Sequence, residues 1–334
     1  MKKVRLMYPS ECFNKLCVAI SRPVKITFIS TIIMGLVIHF FFLANMFPNL
    51  DTVTIYANLR WLVITGRWFA FVPGLLSGDY AMPWVNGLLS IFYIAISACL
   101  IVKCLRINKA LHCVLISGLM ISFPSFTNSL VYIFYSDALL SAMVFACLAV
   151  YLTHRFRYGF CLGIIFIALS LGVYQSYLSF AAGLSVAVII VDIIQQNSSI
   201  KKILIKGGKL FITLLLGVII YFPIFRFALK KSELLITGYQ GIDQIGRMPI
   251  STFLLLIRQS YMSIVKFFYN DNYGLHGSFL SYAFLVIFFI ALILFSIIII
   301  QKRLKNNLPL FFDYFISVIL QSCIYNGVQF VCIS

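Results

Sequence analysis

Residues able to carry out chemistry are concentrated in one segment of an otherwise apolar chain. Residues 47–81 contain Asp51, Asp79, Arg60 and Arg67, although the whole chain has only nine acidic residues. A carboxylate can take a proton from a substrate hydroxyl, and the planar guanidinium group of arginine binds phosphate through two parallel hydrogen bonds. This segment is therefore the first candidate for a site that activates a hydroxyl group beside a phosphate.

Asp51 lies just after the first long apolar run, where a membrane-embedded chain would meet water. A carboxylate at that boundary can act as a general base while the lipid part of a substrate stays in the bilayer. The alternative is structural, because the sequence Leu-Asp-Thr at 50–52 can also begin an interfacial helix with Asp51 as its N-cap.

Arg60 and Arg67 lie in the same segment, and each is followed directly by a tryptophan. We expect both guanidinium groups to hold a phosphate leaving group and balance its charge. We also expect the ring of Trp68 to stack against a sugar. The same residue types form belts of arginine and aromatic side chains at membrane interfaces, so a purely interfacial role stays open.

Three further polar residues occur at the ends of predicted membrane spans. Asp137 opens one span, and Tyr174 and Gln175 lie in a short turn between two others. Ionisable groups at membrane depth are usually functional, so we predict Asp137 as a second catalytic carboxylate. We predict Tyr174 and Gln175 as substrate-binding residues. Asp137 also suits helix capping, and Gln175 also suits an ordinary polar turn.

The composition indicates that these residues lie in a membrane protein. Of the 334 residues, 62% are hydrophobic and 10% are charged. Apolar runs of about 20 residues recur, which is the length that crosses a bilayer as a helix. The alternating pattern of a transmembrane barrel is absent. We therefore predict an all-α polytopic integral membrane protein, and the composition excludes a soluble domain.

Apolar runs predict a transmembrane domain at 26–331, preceded by a basic cytoplasmic segment at 1–25. Two large outer loops are expected at 47–81 and 229–277, and part of the first, 53–76, is apolar enough for interfacial or re-entrant helices. We expect eight or nine spanning helices, at about 26–46, 82–102, 110–127, 138–153, 158–173, 177–194, 210–228, 278–300 and 308–331.

The distribution of charge predicts an orientation. The formal net charge is +17, but the basic residues cluster beside apolar runs, which indicates membrane orientation rather than nucleic-acid binding. The five segments predicted on the same membrane face as the N-terminus hold 18 of the 26 Lys and Arg. Six of the nine acids fall on the opposite face. We expect the N-terminus to be cytoplasmic and the site to face outward.

Motifs for nucleotides, metals and cofactors are missing from the sequence. The chain has no P-loop, no His-Glu-x-x-His and no Cys-x-x-Cys pair. Its nine cysteines lie mostly in apolar runs, where they suit small buried side chains. We expect no metal and no cofactor.

Four features occur in an order that is familiar from one protein family. They are Asp51 after the first span, Gly-Arg-Trp at 66–68, Tyr-Ser-Asp-Ala at 135–138 and Tyr-Gln-Ser-Tyr at 174–177. Over about residues 45–250, this order and the predicted topology resemble the bacterial serotype-converting O-antigen glucosyltransferases. The resemblance implies a GT-C-like helical bundle in the bacterial inner membrane, with its active site on the periplasmic side.

The resemblance also implies a reaction. A glucosyl group would pass from undecaprenyl phosphate glucose to a sugar of the lipid-linked O-antigen, with membrane lipids as the other partners and no nucleic acid. Asp51 would be the base or orient the acceptor, Arg67 would contact the donor phosphate, and Asp137 would be a second acidic site residue. Such proteins usually extend into a C-terminal periplasmic portion, so we expect this chain, which stops at Ser334, to be either a short form or a product truncated by a frameshift.

A flippase or transporter for lipid-linked O-antigen is the alternative from another class. It would use the same arginines to move a lipid pyrophosphate across the bilayer. Such a protein should carry charges along a path through its spans. Most acids of this chain lie at one predicted face, which favours the enzyme.

Replacing Asp51 with Asn tests its predicted role as the base. Because the amide cannot take a proton, we expect glucosylation of O-antigen by membranes that carry Asp51→Asn to fall by about 100-fold or more. Asp51→Glu keeps a carboxylate and should retain part of the activity. Full activity of Asp51→Asn would remove this residue from the mechanism.

Overall fold

A computed structural model gives the fold. The structure describes residues 20–47, 59–78, 81–195 and 200–232, with a few single helical positions between 255 and 297. Every regular element in these ranges is helical, as the composition predicts. The predicted spans at 278–300 and 308–331, and most of the loop at 229–277, lie outside the continuously described ranges.

Ten α-helices occur within the described ranges. A 3₁₀ turn, Ile133–Tyr135, leads directly into the seventh of them. The helices are α1 Arg22–Ala44, α2 Leu59–Ile64, α3 Phe71–Gly74, α4 Pro83–Cys104, α5 Ala110–Ser122, α6 Pro124–Val131, α7 Ser136–Arg155, α8 Gly159–Val173, α9 Tyr177–Gln195 and α10 Ile200–Ser232.

Five of the described helices, or six if a bent pair counts as one span, are long and apolar enough to cross a bilayer. The five are α1, α4, α7 with the preceding turn, α9 and α10, and the bent pair is α5 with α6, at an angle of 45°. Helix α8 is apolar but has only 15 residues, or about 22 Å of helix, against about 30 Å of hydrocarbon. A polytopic helical membrane protein is confirmed, and the number of eight or nine spans stays a prediction.

Two predicted boundaries differ from the structure for physical reasons. The third span was expected at 110–127, but α5 ends at Ser122 because Pro124 lacks an N–H and disfavours helical geometry in the residue before it. The seventh span was expected at 210–228, but α10 begins ten residues earlier. Its lysine-rich first turns remain helical because lysine is a good helix former.

The described helices belong to two compact units. Unit 1 comprises residues 1–57 and 71–147, and unit 2 comprises residues 58–70 and 148–334. Helix α7 begins in unit 1 and ends in unit 2. The two short helices of the first loop are divided between the units, with α2 in unit 2 and α3 in unit 1.

In unit 1, α1 packs against α4 and α5 through small and polar residues. A Cβ atom on Gly35 would lie 2.7 Å from Cγ2 of Ile91, so the two helices approach closely at this glycine. The Ser117 hydroxyl donates to the carbonyl oxygen of Thr27 at 3.1 Å, and Nε2 of His39 lies 3.0 Å from the carbonyl oxygen of Ile121. Close approach and interhelical hydrogen bonds hold helices together where lipid provides no hydrophobic driving force.

In unit 2, α10 packs along α8 and also contacts α9. A Cβ atom on Gly217 of α10 would collide with Ile167 of α8, so this contact also depends on a glycine. The hydroxyl groups of Thr153 and Thr213 lie 3.5 Å apart and link α7 to α10.

A buried carboxylate joins three helices at the lysine-rich end of unit 2. Asp192 of α9 is 1% exposed, and its Oδ2 lies 2.9 Å from Nε2 of His154 and 2.6 Å from Nζ of Lys206. Lys209 donates to the carbonyl oxygens of Phe156 and Arg157, at 2.7 and 3.0 Å. These contacts satisfy both a buried charge and the carbonyl groups at the end of α7.

Two glycine substitutions in α10 test whether close helix approach stabilises unit 2. Gly217→Ala places a methyl group against Ile167 and should lower the free energy of unfolding by about 1–3 kcal/mol. Gly208→Ala, in the same helix, meets no atom within 4 Å and should be neutral or slightly stabilising. Thermal unfolding of detergent-purified protein measures both, and equal melting temperatures would contradict the packing role of Gly217.

Candidate functional site

The loop that carries Arg67 is shaped by the end of helix α2. Gly66 has φ +80°, the left-handed conformation that glycine adopts without strain. The Gly66 N–H donates to the carbonyl oxygen of Val63 at 3.0 Å, and the Arg67 N–H donates to that of Leu62 at 2.7 Å. This pair of bonds is a Schellman motif, which ends the helix and fixes the position of Arg67 directly after it.

The guanidinium group of Arg67 lies on the ring of Tyr174. Its Cζ is 4.7 Å from the ring centroid, a cation–π contact between the loop and the turn that joins α8 to α9. Stacking uses the flat face of a guanidinium group, whereas phosphate binding uses N–H groups at its edge. The contact therefore restricts where the charge can lie and is compatible with binding an anion.

Trp68 and Phe69 attach the loop to the end of α8. The Phe69 N–H donates to the carbonyl oxygen of Gly172 at 2.7 Å. A Cβ atom on Gly172 would lie 2.7 and 2.8 Å from Cε2 and Cζ2 of Trp68, so the indole lies directly against this glycine. Trp68 is half-buried, and part of its ring is therefore used for packing rather than for stacking on a sugar.

Gln175 makes its hydrogen bonds to the same loop. Its Nε2 donates to the carbonyl oxygen of Thr65 at 2.8 Å and to the hydroxyl of Tyr221 at 3.0 Å. The Tyr221 hydroxyl in turn donates to the carbonyl oxygen of Gly66 at 2.9 Å. Residues from the α8–α9 turn and from α10 thus meet at the end of α2, all within unit 2.

Asp137 belongs to unit 1, where it lies in the first turn of α7 and is 0% exposed. Its Oδ1 accepts a hydrogen bond from Nδ2 of Asn86 at 2.9 Å, and Oδ1 of Asn86 accepts one from the backbone N–H of Met82 at 3.0 Å. The carboxylate also faces backbone N–H groups of the first turn of α7, in agreement with the capping alternative. The Asp137 carboxylate is thus hydrogen-bonded within unit 1, and its catalytic role stays a prediction from the sequence.

The remaining predicted site residues lie outside the described part of the chain. This holds for Asp51 and for the side chain of Arg60, whose backbone alone is described, in α2. Their roles stay predictions from the sequence. Within the described ranges, no group of three or more His, Cys, Asp or Glu side chains is arranged to hold a metal ion.

The structure brings four of the predicted residues together in unit 2, and it adds others that the sequence reasoning missed. The four are Arg67, Trp68, Tyr174 and Gln175. Tyr221 was missed because it lies in an apolar run, although a tyrosine two residues before a proline inside a span is an unusual polar position. Asn86 was missed for the same reason.

Comparison with known proteins identifies a family. A family model described as "Glucosyl transferase GtrII" matches residues 40–330. No curated protein and no solved structure matches the chain. The matched range includes the Arg67 loop, the α8–α9 turn and Asp137.

Gly66→Ala tests the geometry of the Arg67 loop. The substitution strains the left-handed backbone and places a methyl group against Gln175 and Tyr221, so we expect a loss of about 1–3 kcal/mol of local stability. Trypsin cleavage after Arg67, followed by mass spectrometry, should become faster than in the wild type. Gly183→Ala, which meets no atom within 4 Å, is the control. Equal cleavage rates in the two variants would show that the loop does not depend on Gly66.

Proposed function

The chain belongs to the glucosyl transferase GtrII family, and from this membership we propose that it transfers glucose from undecaprenyl phosphate glucose to a sugar of the lipid-linked O-antigen. The family assignment confirms the resemblance found in the sequence. Glucosyl transfer by a membrane protein follows from the family and from the apolar helices. The donor, the acceptor, the GT-C type and the side of the membrane are our proposal.

The observation that carries the proposal is the family match over most of the chain. The geometry around Arg67 supports a role for this residue at the donor phosphate. A single guanidinium group, held on an aromatic ring at the end of the apolar helices, suits a phosphate whose lipid tail stays in the bilayer.

The proposed reaction is a direct displacement at the anomeric carbon of glucose. The acceptor hydroxyl attacks this carbon, and the bond between the carbon and the phosphate oxygen breaks with its electron pair going to the phosphate. Asp51 takes the proton of the acceptor hydroxyl, and Arg67 stabilises the charge that develops on the leaving phosphate. Trp68 and Tyr174 contact the sugar.

Asp137 stays the predicted second acidic residue of the site. It is 0% exposed and bonded to Asn86, which itself binds the start of α4. Helix α4 begins just after the first loop, and the pair fixes the start of this helix.

The basic residues of unit 2 favour one orientation in the membrane. Arg155, Arg157 and the four lysines in the first turns of α10 lie at the end where α7 stops and α8 starts, whereas the Arg67 loop and the smaller group of Arg226, Lys230 and Lys231 lie toward the other end. Because basic loops stay in the cytoplasm, we propose that the Arg67 loop faces the periplasm of the bacterial inner membrane.

Expression of the chain in a strain that makes both O-antigen and undecaprenyl phosphate glucose tests the proposed reaction. Mass spectrometry of the O-antigen should show an added hexose only when the chain is present. An unchanged O-antigen would contradict the proposal. Translocation of lipid-linked sugar without any transfer would instead support the flippase.

Substitutions at Arg67 test its role at the donor phosphate. Arg67→Gln removes the charge, and we expect O-antigen glucosylation to fall by about 10- to 100-fold, because hydrogen bonds to charged groups contribute about 1.5–3 kcal/mol. Arg67→Lys keeps the charge but not the paired N–H groups and should be intermediate.

Arg157→Gln is the matched control for this test. Its guanidinium group also lies over a tyrosine ring, that of Tyr158 at 5.5 Å, but at the opposite end of unit 2. We expect this variant to keep near-wild-type glucosylation. Equal activity of Arg67→Gln and Arg157→Gln would remove Arg67 from the site.

A further inference from the structure

The carbonyl groups at the end of α2 are satisfied by side chains from two other helical segments. Within the Schellman motif, backbone N–H groups bond the carbonyls of Leu62 and Val63. Two later carbonyls in this buried turn, those of Thr65 and Gly66, accept hydrogen bonds from Gln175 and Tyr221 respectively. A buried carbonyl without a partner costs free energy, so these two side chains stabilise this particular backbone conformation.

The chemistry of the donors and acceptors fixes the direction of each hydrogen bond in this network. A backbone carbonyl can only accept, so the amide nitrogen of Gln175 must face Thr65. The same nitrogen gives its second proton to the Tyr221 oxygen, and the single proton of the Tyr221 hydroxyl goes to Gly66. Both protons of the Gln175 amide are therefore used within the protein, and neither is left to donate to a sugar.

The surroundings of Tyr221 and Gln175 fix both side chains in place beside these carbonyls. Tyr221 is 6% exposed, and its ring stacks on Phe225 at 5.9 Å with an angle of 14° between the rings. Gln175 follows Tyr174 directly in one short turn. The Tyr174 ring stacks on the Arg67 guanidinium group, and Gln175 hydrogen-bonds to the Arg67 loop.

We propose that Gln175 and Tyr221 are positioning residues for Arg67. They fix the backbone carbonyls of Thr65 and Gly66, which directly precede Arg67. Gln175 was expected to bind substrate, and this inference assigns it to the protein instead. The inference rests on the proposed role of Arg67 at the donor phosphate. It makes α10 part of the donor site through Tyr221.

Tyr221→Phe is the direct test, because it removes only the hydroxyl that bonds Gly66 and accepts from Gln175. With wild-type and variant enzymes in membranes, we expect the KM for undecaprenyl phosphate glucose to rise about fivefold, with the KM for the acceptor unchanged. Gln175→Met keeps the length of the side chain, removes the amide, and should have the same effect. It also provides a second test if Tyr221→Phe accumulates poorly.

Tyr158→Phe is the control, since it removes a tyrosine hydroxyl at the opposite end of unit 2, from a side chain that is 71% exposed. We expect its KM for the donor to equal that of the wild type. An equal rise in this control and in Tyr221→Phe would overturn the inference.

A double-mutant cycle separates positioning from general stability. If Tyr221 acts only through Arg67, Arg67→Gln combined with Tyr221→Phe should show the donor KM of Arg67→Gln alone. Additive effects, or an unchanged donor KM in both Tyr221→Phe and Gln175→Met, would overturn the inference. An unchanged donor KM in Arg67→Gln itself would instead refute the proposed role of Arg67, so the two failures are distinguishable.

Discussion

The candidate site depends on the need of the buried carbonyl groups at the end of a short helix for hydrogen-bond partners. Helix α2 has six residues, too few to be stable alone, and it ends in a buried turn that water does not satisfy. The chain meets this constraint with a left-handed glycine, two backbone hydrogen bonds and two side chains. Because all of these contacts meet just before Arg67, the same arrangement that ends the helix also positions the residue that carries this guanidinium group.

The other polar clusters follow the same rule, that a polar group among apolar helices needs a partner. Asp192 is bonded by His154 and Lys206 at one end of unit 2. In unit 1, Asp137 is bonded by Asn86. These carboxylates are expensive to bury, and their partners lie on other helices, so they stabilise particular helix arrangements. A buried carboxylate in a membrane protein is therefore not by itself a sign of catalysis.

The sequence predicted the class of fold and named four residues that lie together in the structure, and its errors have physical causes. The lengths of the apolar runs predicted the helices at 82–102 and 177–194 closely, because burial in lipid and helix length are directly linked. The break at Pro124 and the helical lysine segment depend on local backbone chemistry and were not predicted. Arg67 and Tyr174 were both named as site residues, but their contact depends on packing between segments more than 100 residues apart. The hydrogen bond of Tyr221 to Gly66 has no trace in the local sequence for the same reason.

Binding of the lipid carrier, measured without any sugar transfer, tests phosphate recognition by Arg67 most directly. Undecaprenyl phosphate and undecaprenol differ only in the phosphate and can be compared on protein purified into lipid nanodiscs. We predict that the wild type binds the phosphate about 10- to 100-fold more tightly than the alcohol, and that Arg67→Gln loses this preference. Equal binding of the two lipids by the wild type, or an undiminished preference in Arg67→Gln, would contradict the account.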